Sequence, residues 1–296
     1  MFFKKSSSKP SSDASASPAT AQIEYGRHLV DVYEALAQLP AGLLLDVGAA
    51  VGGTTRKMRR RSPKSRVIAF EPNPANWPHF EAQHDGDGLV TLRRAAVAEK
   101  PGVLKFAARH AIDAEEGNWS RYRGASSVGQ VQEDGEVEVE AVTLDETLGK
   151  DTAIFCKIDV QGYEPKVLQG AQRALKERRI KVLLVEFMAY AEIFPLLSGY
   201  RCFSQEWSVI PRLNKKLPPP DFSSWDLGPV RQLSTGKSAY KSWPKQHPTD
   251  AEAFMAFQLA ENAKIGRCWT DLLFVAHDFV DTYVAAASAP QGSGNE

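Results

Sequence analysis

Leu43-Leu44-Leu45-Asp46-Val47-Gly48-Ala49-Ala50-Val51-Gly52-Gly53-Thr54-Thr55 is the stretch whose reading decides the fold. Its first five residues are apolar except for Asp46, and Gly42 and Gly48 bound them. A run this short and this apolar reads as a strand buried on both faces. Gly52 and Gly53 break the chain direction, and Thr54 and Thr55 open a helix toward Arg61. Glycine lets the chain turn tightly and lets a ligand approach the backbone. The unpaired amides of the helix that follows favour polar or anionic groups. Asp46, at the strand end, is placed to accept hydrogen bonds or to receive an ammonium group. Gly48 and Gly52 have no glycine between them, so the turn departs from GxGxxG and argues against a pyrophosphate-binding dinucleotide site.

Outward from that turn, Val67 to Phe70 form a second apolar strand, which runs into Phe70-Glu71-Pro72-Asn73-Pro74. Glu71 follows the glycine turn by about 20–25 residues, the spacing at which an acid meets ribose hydroxyls. Two hydroxyls donating to one carboxylate give charge-assisted contacts, and Pro72 offers an apolar face to adenine. A third motif is Lys157-Ile158-Asp159-Val160-Gln161-Gly162-Tyr163-Glu164, directly after the apolar run Ile154 to Ile158. In open α/β sheets ligands sit at the carboxyl ends of the strands, so Asp159 is aimed into the cleft. Glu186 ends the strand Val182–Phe187 and is a second acid on the same rim. These two acids are the catalytic candidates for proton chemistry.

The remaining pattern alternates strand and helix. A helix is expected over Ala75–Gln83 with Pro78 near its start, a third strand over Val90–Leu92, and a loop and hairpin to Phe106. Glu136–Val142 alternates apolar and acidic residues and reads as an exposed or edge strand. Glu164–Glu177 reads as one helix and Leu272–Ala276 as the last strand. A helix from Glu24 to Ala37 stops before Pro40, and Thr249 with Glu252 forms a capping box for a helix to about Lys264. Strands alternating with helices predict an α/β, Rossmann-like, doubly wound, mostly parallel sheet with helices on both faces. Residues 1–22, rich in Ser, Ala and Pro, read as a disordered tail. One domain is expected over 23–287, with inserted segments near 108–134 and 210–248, and a second disordered tail over 288–296.

Composition narrows the partners. The 296 residues are 43% apolar and carry a formal net charge of zero. That balance lacks the basic signature of a nucleic-acid-binding protein. The run Lys57, Arg59, Arg60, Arg61 reads as a solvated helix end favoured by the helix dipole. No stretch approaches about 18 apolar residues, so no membrane span is expected. The three cysteines and six histidines are scattered, so neither a disulfide framework nor a metal site is expected. A cytoplasmic location fits, with organelle targeting by the Ser-rich N-terminus left open. The sequence does not fix an oligomeric state.

In order and spacing, these motifs resemble the FkbM family of methyltransferases over Leu43 to Phe187. The matching residues are the Asp46–Gly52 turn, Phe70–Asn76, Thr143-Leu144-Asp145-Glu146, Lys157–Glu164, Leu168 with Gly170 and Ala171, and Val185-Glu186. Two positions depart: Ala50 stands where the family usually has Asn, and Arg94 replaces an Asn near the third strand. The resemblance implies a class I methyltransferase fold and S-adenosylmethionine as cofactor. It places Gly48, Ala49 and Gly52 by the methionine portion and Asp46 by the amino group. Glu71 falls on the ribose, with Pro72, Asn73 and Ala96 around the adenosine. It also implies methylation of a hydroxyl oxygen on a small-molecule acceptor, a glycan or metabolite. The competing readings are a catalytically silent binding protein of the same fold and an NAD(P)-dependent oxidoreductase.

Overall fold

The computed structural model describes residues 32–108, 129–187, 192–204 and 270–288. In chain order the strands are β1 (Leu43–Val47), β2 (Arg66–Phe70), β3 (Val90–Arg93), β4 (Ala95–Val97), β5 (Gly102–Ala108), β6 (Gly129–Val131), β7 (Val137–Val142), β8 (Ala153–Ile158), β9 (Ile180–Phe187), β10 (Tyr200–Ser204) and β11 (Thr270–Ala276). The helices are α1 (Val32–Ala35), α2 (Gly53–Arg61), α3 (Trp77–Gln83), α4 (Leu144–Leu148), α5 (Glu164–Gln169), α6 (Gln172–Lys176), α7 (Ile193–Leu196) and α8 (Val280–Ser288). Most of the inserted segment near 108–134, the whole segment near 210–248, the capping-box helix and most of the two tails lie outside the described residues. So does the expected helix from Glu24 as far as residue 31.

Seven strands form one sheet in the order β10-β11-β9-β8-β1-β2-β3. The pairs β9–β8, β8–β1, β1–β2 and β2–β3 are parallel, and β11 runs antiparallel to both its neighbours. Strand alternation assigns the sheet's two faces. Leu43, Leu45 and Val47 join Cys156, Ile158, Leu183 and Val185 in a core with Val167, Leu168 and Ala171. Leu44 joins Val67, Phe155, Val182 and Leu184 on the other side, with Met58 of α2 and Tyr283 of α8. Each fully buried side chain of this size contributes roughly 1.5–3 kcal/mol, so both faces hold the sheet. Among the described residues, no helix is long and apolar enough to cross a membrane.

A second sheet, β4-β7-β5-β6, shares the core of the first through Ala95, Val97 and Val142. It corrects two expectations. The stretch to Phe106 is not a hairpin: β4 and β5 both pair with β7, β4 in parallel and β5 antiparallel. Nor is β7 an edge strand, since it lies between them. Its alternation is real, with Val139 and Ala141 buried and Glu138 and Glu140 exposed.

The expected helix Glu164–Glu177 is two helices. Gly170 sits where any Cβ would collide with the Ala98 carbonyl oxygen behind β4. The break lets Asp145 of α4 cap the start of α6, its carboxylate accepting from the Arg173 and Ala174 N–H groups at 2.9 and 2.7 Å. Nor is the basic run simply solvated. The Arg59 guanidinium pairs with Asp87 at 2.8 Å and donates to the Ser62, Pro63 and Ser65 carbonyls beyond α2. Lys57 lies over the Tyr33 ring.

Candidate active site

The strand ends place the functional groups. After β1 the chain reverses over Gly48–Gly52, with the Gly48 and Ala49 N–H groups both donating to the Phe70 carbonyl at 3.0 Å. Gly48 has φ +84, and a Cβ there would collide with the Asp159 carbonyl. The glycine is therefore what lets the β1 and β8 turns touch. Gly52, φ +92, is confined by Phe80 and His84 of the following layer. Ala50 also sits in the left-handed region, φ 48, where asparagine is better tolerated than alanine. That gives the family's Asn at this position a backbone reason.

Two adjoining hollows open at this rim. The first is lined by Gly48, Ala50, Glu71, Pro72, Ala96, Phe106 and others, with Asp159, Gln161 and Tyr163 at one side. The second is lined by Gly48–Val51, Gly53, Thr54, Arg56, Lys157 and Asp159. Gly48, Ala50 and Asp159 border both. Of the residues picked from sequence, Gly48, Ala49, Glu71, Pro72, Ala96 and Asp159 line a hollow. Asp46, Gly52, Asn73 and Glu186 line neither.

Glu71 is 5% exposed and held by three donors. Its Oε2 accepts from the Ala50 N–H at 2.8 Å, and Oε1 accepts from the Asn73 N–H at 2.8 Å and Asn76 Nδ2 at 3.1 Å. A carboxylate has about four acceptor positions, so Oε1 is filled and Oε2 keeps one. Oε2 therefore keeps room for a further hydrogen bond beside the first hollow. Burial pushes its pKa up to about 7 against the three donors. Asn73 lines neither hollow: its Oδ1 accepts from the Ala75 N–H at 3.1 Å, capping the turn that leads into α3. Arg94 lies outside too, stacked over Trp77 and paired with Glu81.

Asp46 is fully buried, and strand parity explains it. It shares a face with Leu44, toward α2, where Thr55 Oγ1 donates to its Oδ2 at 2.6 Å. Among the described residues its Oδ1 has no hydrogen-bond partner. Burial raises its pKa, opposed by Lys157 and Thr55. In register beside it on β8 is Lys157, whose Nζ donates to Asp159 Oδ2 at 2.6 Å. Gln161 Nε2 donates to Asp159 Oδ1 at 2.8 Å and to Glu186 Oε2 at 3.2 Å. Gln161 does so from a left-handed backbone, φ 57, which costs a non-glycine residue roughly 1–2 kcal/mol. Glu164 shapes the same turn, accepting from the Val160 and Gly162 N–H groups.

The two acids named as catalytic candidates therefore differ in charge state. Burial would raise Asp159, but the Lys157 charge and hydrogen bond outweigh it and bring the carboxyl below its usual range. Burial, then the charges of Asp159 and Glu164, push Glu186 well above that range. Lys157 stays protonated: burial works against its charge, but Asp159, Tyr33, Asp46 and Asp271 outweigh it. Sequence reading passed over Gln161, Tyr163, Phe106 and Asp271. Only Asp271 carried a local signal, as the one charged residue in an apolar strand. Tyr163 borders the first hollow and donates to Glu99 at 3.2 Å. Burial and the Glu99 charge push its phenol up to about 12.

Seven strands in this order, with β11 alone reversed, a glycine turn after β1 and an acid after β2, make the Rossmann-like class I methyltransferase fold. The chain belongs to the FkbM methyltransferase family: the family model described as "Methyltransferase FkbM domain" matches residues 46–202, more than half of its length. Among curated proteins it is similar to the 2-O-methyltransferase NoeI of Sinorhizobium fredii, 24% identical over 173 residues, covering 54% of this chain and 68% of that protein. It is also similar to Methyltransferase 1 of Beauveria bassiana, 28% identical over 146 residues, covering 43% of this chain and 57% of that one. Among solved structures, a precorrin-6y C5,15-methyltransferase from Geobacter metallireducens aligns at 14% identity and a TM-score of 0.32, over 58% of this chain and 72% of that one.

Proposed function

We propose that this methyltransferase uses S-adenosylmethionine and methylates a hydroxyl oxygen on a sugar or other small metabolite. Glu71 carries the reading: a buried carboxylate at the end of β2, locked by three donors, with one acceptor position left beside an apolar hollow. Such a group fits a ribose hydroxyl. Pro72, Ala96 and Phe106 offer the apolar walls an adenine needs. Gly48 borders both hollows without a side chain, and Arg56 and the first turn of α2 beside the second suit a carboxylate, while Asp159 suits an ammonium group or an acceptor hydroxyl. The name of NoeI, a 2-O-methyltransferase, supports an oxygen acceptor.

The bound cofactor would supply a methyl group already activated as a sulfonium, so the chain's work is alignment and exclusion of water. An acceptor hydroxyl would have to give up its proton as its oxygen takes that methyl group, so the chain must hold the hydroxyl and let the proton leave. Asp159, ionised beside Lys157 with its side chain 33% exposed, would orient the hydroxyl by accepting its hydrogen bond, and the proton would leave to water. Glu186, protonated at neutral pH, supports it through Gln161 instead of acting as the base. Calorimetric titration with S-adenosylhomocysteine tests the cofactor, with NAD as the control. Binding of the first and not the second is expected, and a screen of sugars with labelled methyl donor follows from it. A folded protein that binds neither overturns the reading and leaves a silent member of the fold.

A further inference from the structure

A row of charged residues crosses the sheet on one face at its carboxyl edge. Asp46 and Lys157 pair in register across β1 and β8, and Glu186 and Asp271 pair across β9 and β11. All four share strand parity with residues of a single core, namely Leu44, Phe155, Leu184 and Leu273. Lys157 is the one buried cation among the described residues. Its Nζ bonds Asp159, which borders both hollows, while Asp46 borders neither.

We propose that Lys157 is the positioning residue of this site: its ammonium, on the strand beside Asp46, holds the Asp159 carboxylate at the junction of the two hollows, ready for a cationic or hydroxyl group of the ligand. The inference rests on the cofactor reading above only for its ligand. Neighbouring carboxylates in a buried row cannot all ionise unaided. The groups facing Lys157 are Asp46 from β1, Asp159 after β8, Tyr33 from α1 and Asp271 from β11. Those facing Asp159 besides Lys157 are Gln161, Glu186, Glu164 and Asp46. Arg56 of α2 shares the second hollow with Asp159, but Lys157 is the cation bonded to it, so without Lys157 the carboxylate takes up a proton more readily and loses the bond that fixes its direction.

The direct test is the carbon-13 signal of the Asp159 carboxyl in protein labelled at aspartate, assigned with Asp159→Asn and followed against pH. In the wild type it should titrate below the usual carboxylate range. Lys157→Met should move it up by at least about one unit, and Lys157→Arg should leave it low. In parallel, Lys157→Met should weaken S-adenosylhomocysteine about tenfold at neutral pH. It should leave 5′-methylthioadenosine, which lacks the ammonium-bearing end, unchanged. Should Lys157→Met fail to fold, Lys157→Gln, which keeps a donor without the charge, carries both measurements. An unmoved Asp159 titration, or equal weakening of the two ligands, overturns the proposal. A shifted titration with neither ligand bound by the wild type leaves Lys157 in its role and removes the cofactor reading instead.

Discussion

The β1–β2 half of the rim and the β8–β9 half each hold a carboxylate at a strand end, and they do so by opposite means. Glu71 is surrounded by neutral donors, two backbone N–H groups and an asparagine amide. Asp159 is bound by a buried cation and a glutamine. The neutral donors leave Glu71 near the middle of the pH scale, whereas the cation carries Asp159 below its ordinary range. Burial acts on both; the presence or absence of a counter-charge decides the outcome. One acid is thus tuned to accept a hydrogen bond at a fixed point, and the other to keep its charge.

The comparison breaks most severely at Lys157. Removing one partner of a buried ion pair costs about 3–5 kcal/mol, and Lys157→Met should lose that much stability in urea unfolding. A loss under about 1 kcal/mol would show that water, not the lysine, solvates the β8–β9 acids. Glu71→Ala should cost less, about 1–3 kcal/mol, because the groups it strands are neutral donors. The same variant should abolish S-adenosylhomocysteine binding while the β8–β9 half keeps its structure.

A pH series sharpens the contrast further. Glu71 rises from an ordinary 4.5 to about 7 on folding. Its contribution to stability is therefore complete below pH 4.5 and is lost as pH rises through 7. Binding runs the other way, since a ligand hydroxyl needs the ionised carboxylate. Affinity for S-adenosylhomocysteine should fall below pH 7, approaching tenfold per unit, and the dependence should vanish in Glu71→Gln. A flat profile in the wild type would mean that Glu71 is already ionised by its three donors. The smallest effect is at Ala50, whose N–H ties the turn to Glu71. Ala50→Asn should relieve a left-handed alanine and stabilise the protein by up to about 1 kcal/mol, read as a higher midpoint in thermal melting.

Much of the seven-stranded sheet was legible because its strands are short apolar runs punctuated by glycine and charge. The second sheet was not. Its parallel β4–β7 pair joins residues 95–97 to 140–142, and no local pattern announces such a pairing. The break between α5 and α6 escaped for the same reason: Gly170 yields to the Ala98 carbonyl, some seventy residues away. At the candidate site, Glu71 and Asp159 were named by position after their strands, and both border a hollow. Asn73 and Gly52 were named by motif and border neither; Asn73 caps a turn and Gly52 lies against Phe80 and His84.

The sequence by itself determined where strands end, and therefore which residues reach the rim, because burial on both sheet faces leaves an unmistakable apolar pattern. Strand parity, also written in the sequence, determined that Asp46, Lys157, Glu186 and Asp271 share one face. Only the tertiary structure decided that Asp159, and none of these three acids, borders the hollows, and which of the acids carries charge. Those properties depend on neighbours brought from separate strands into a medium with little water, where a single ammonium group outweighs the pull of burial.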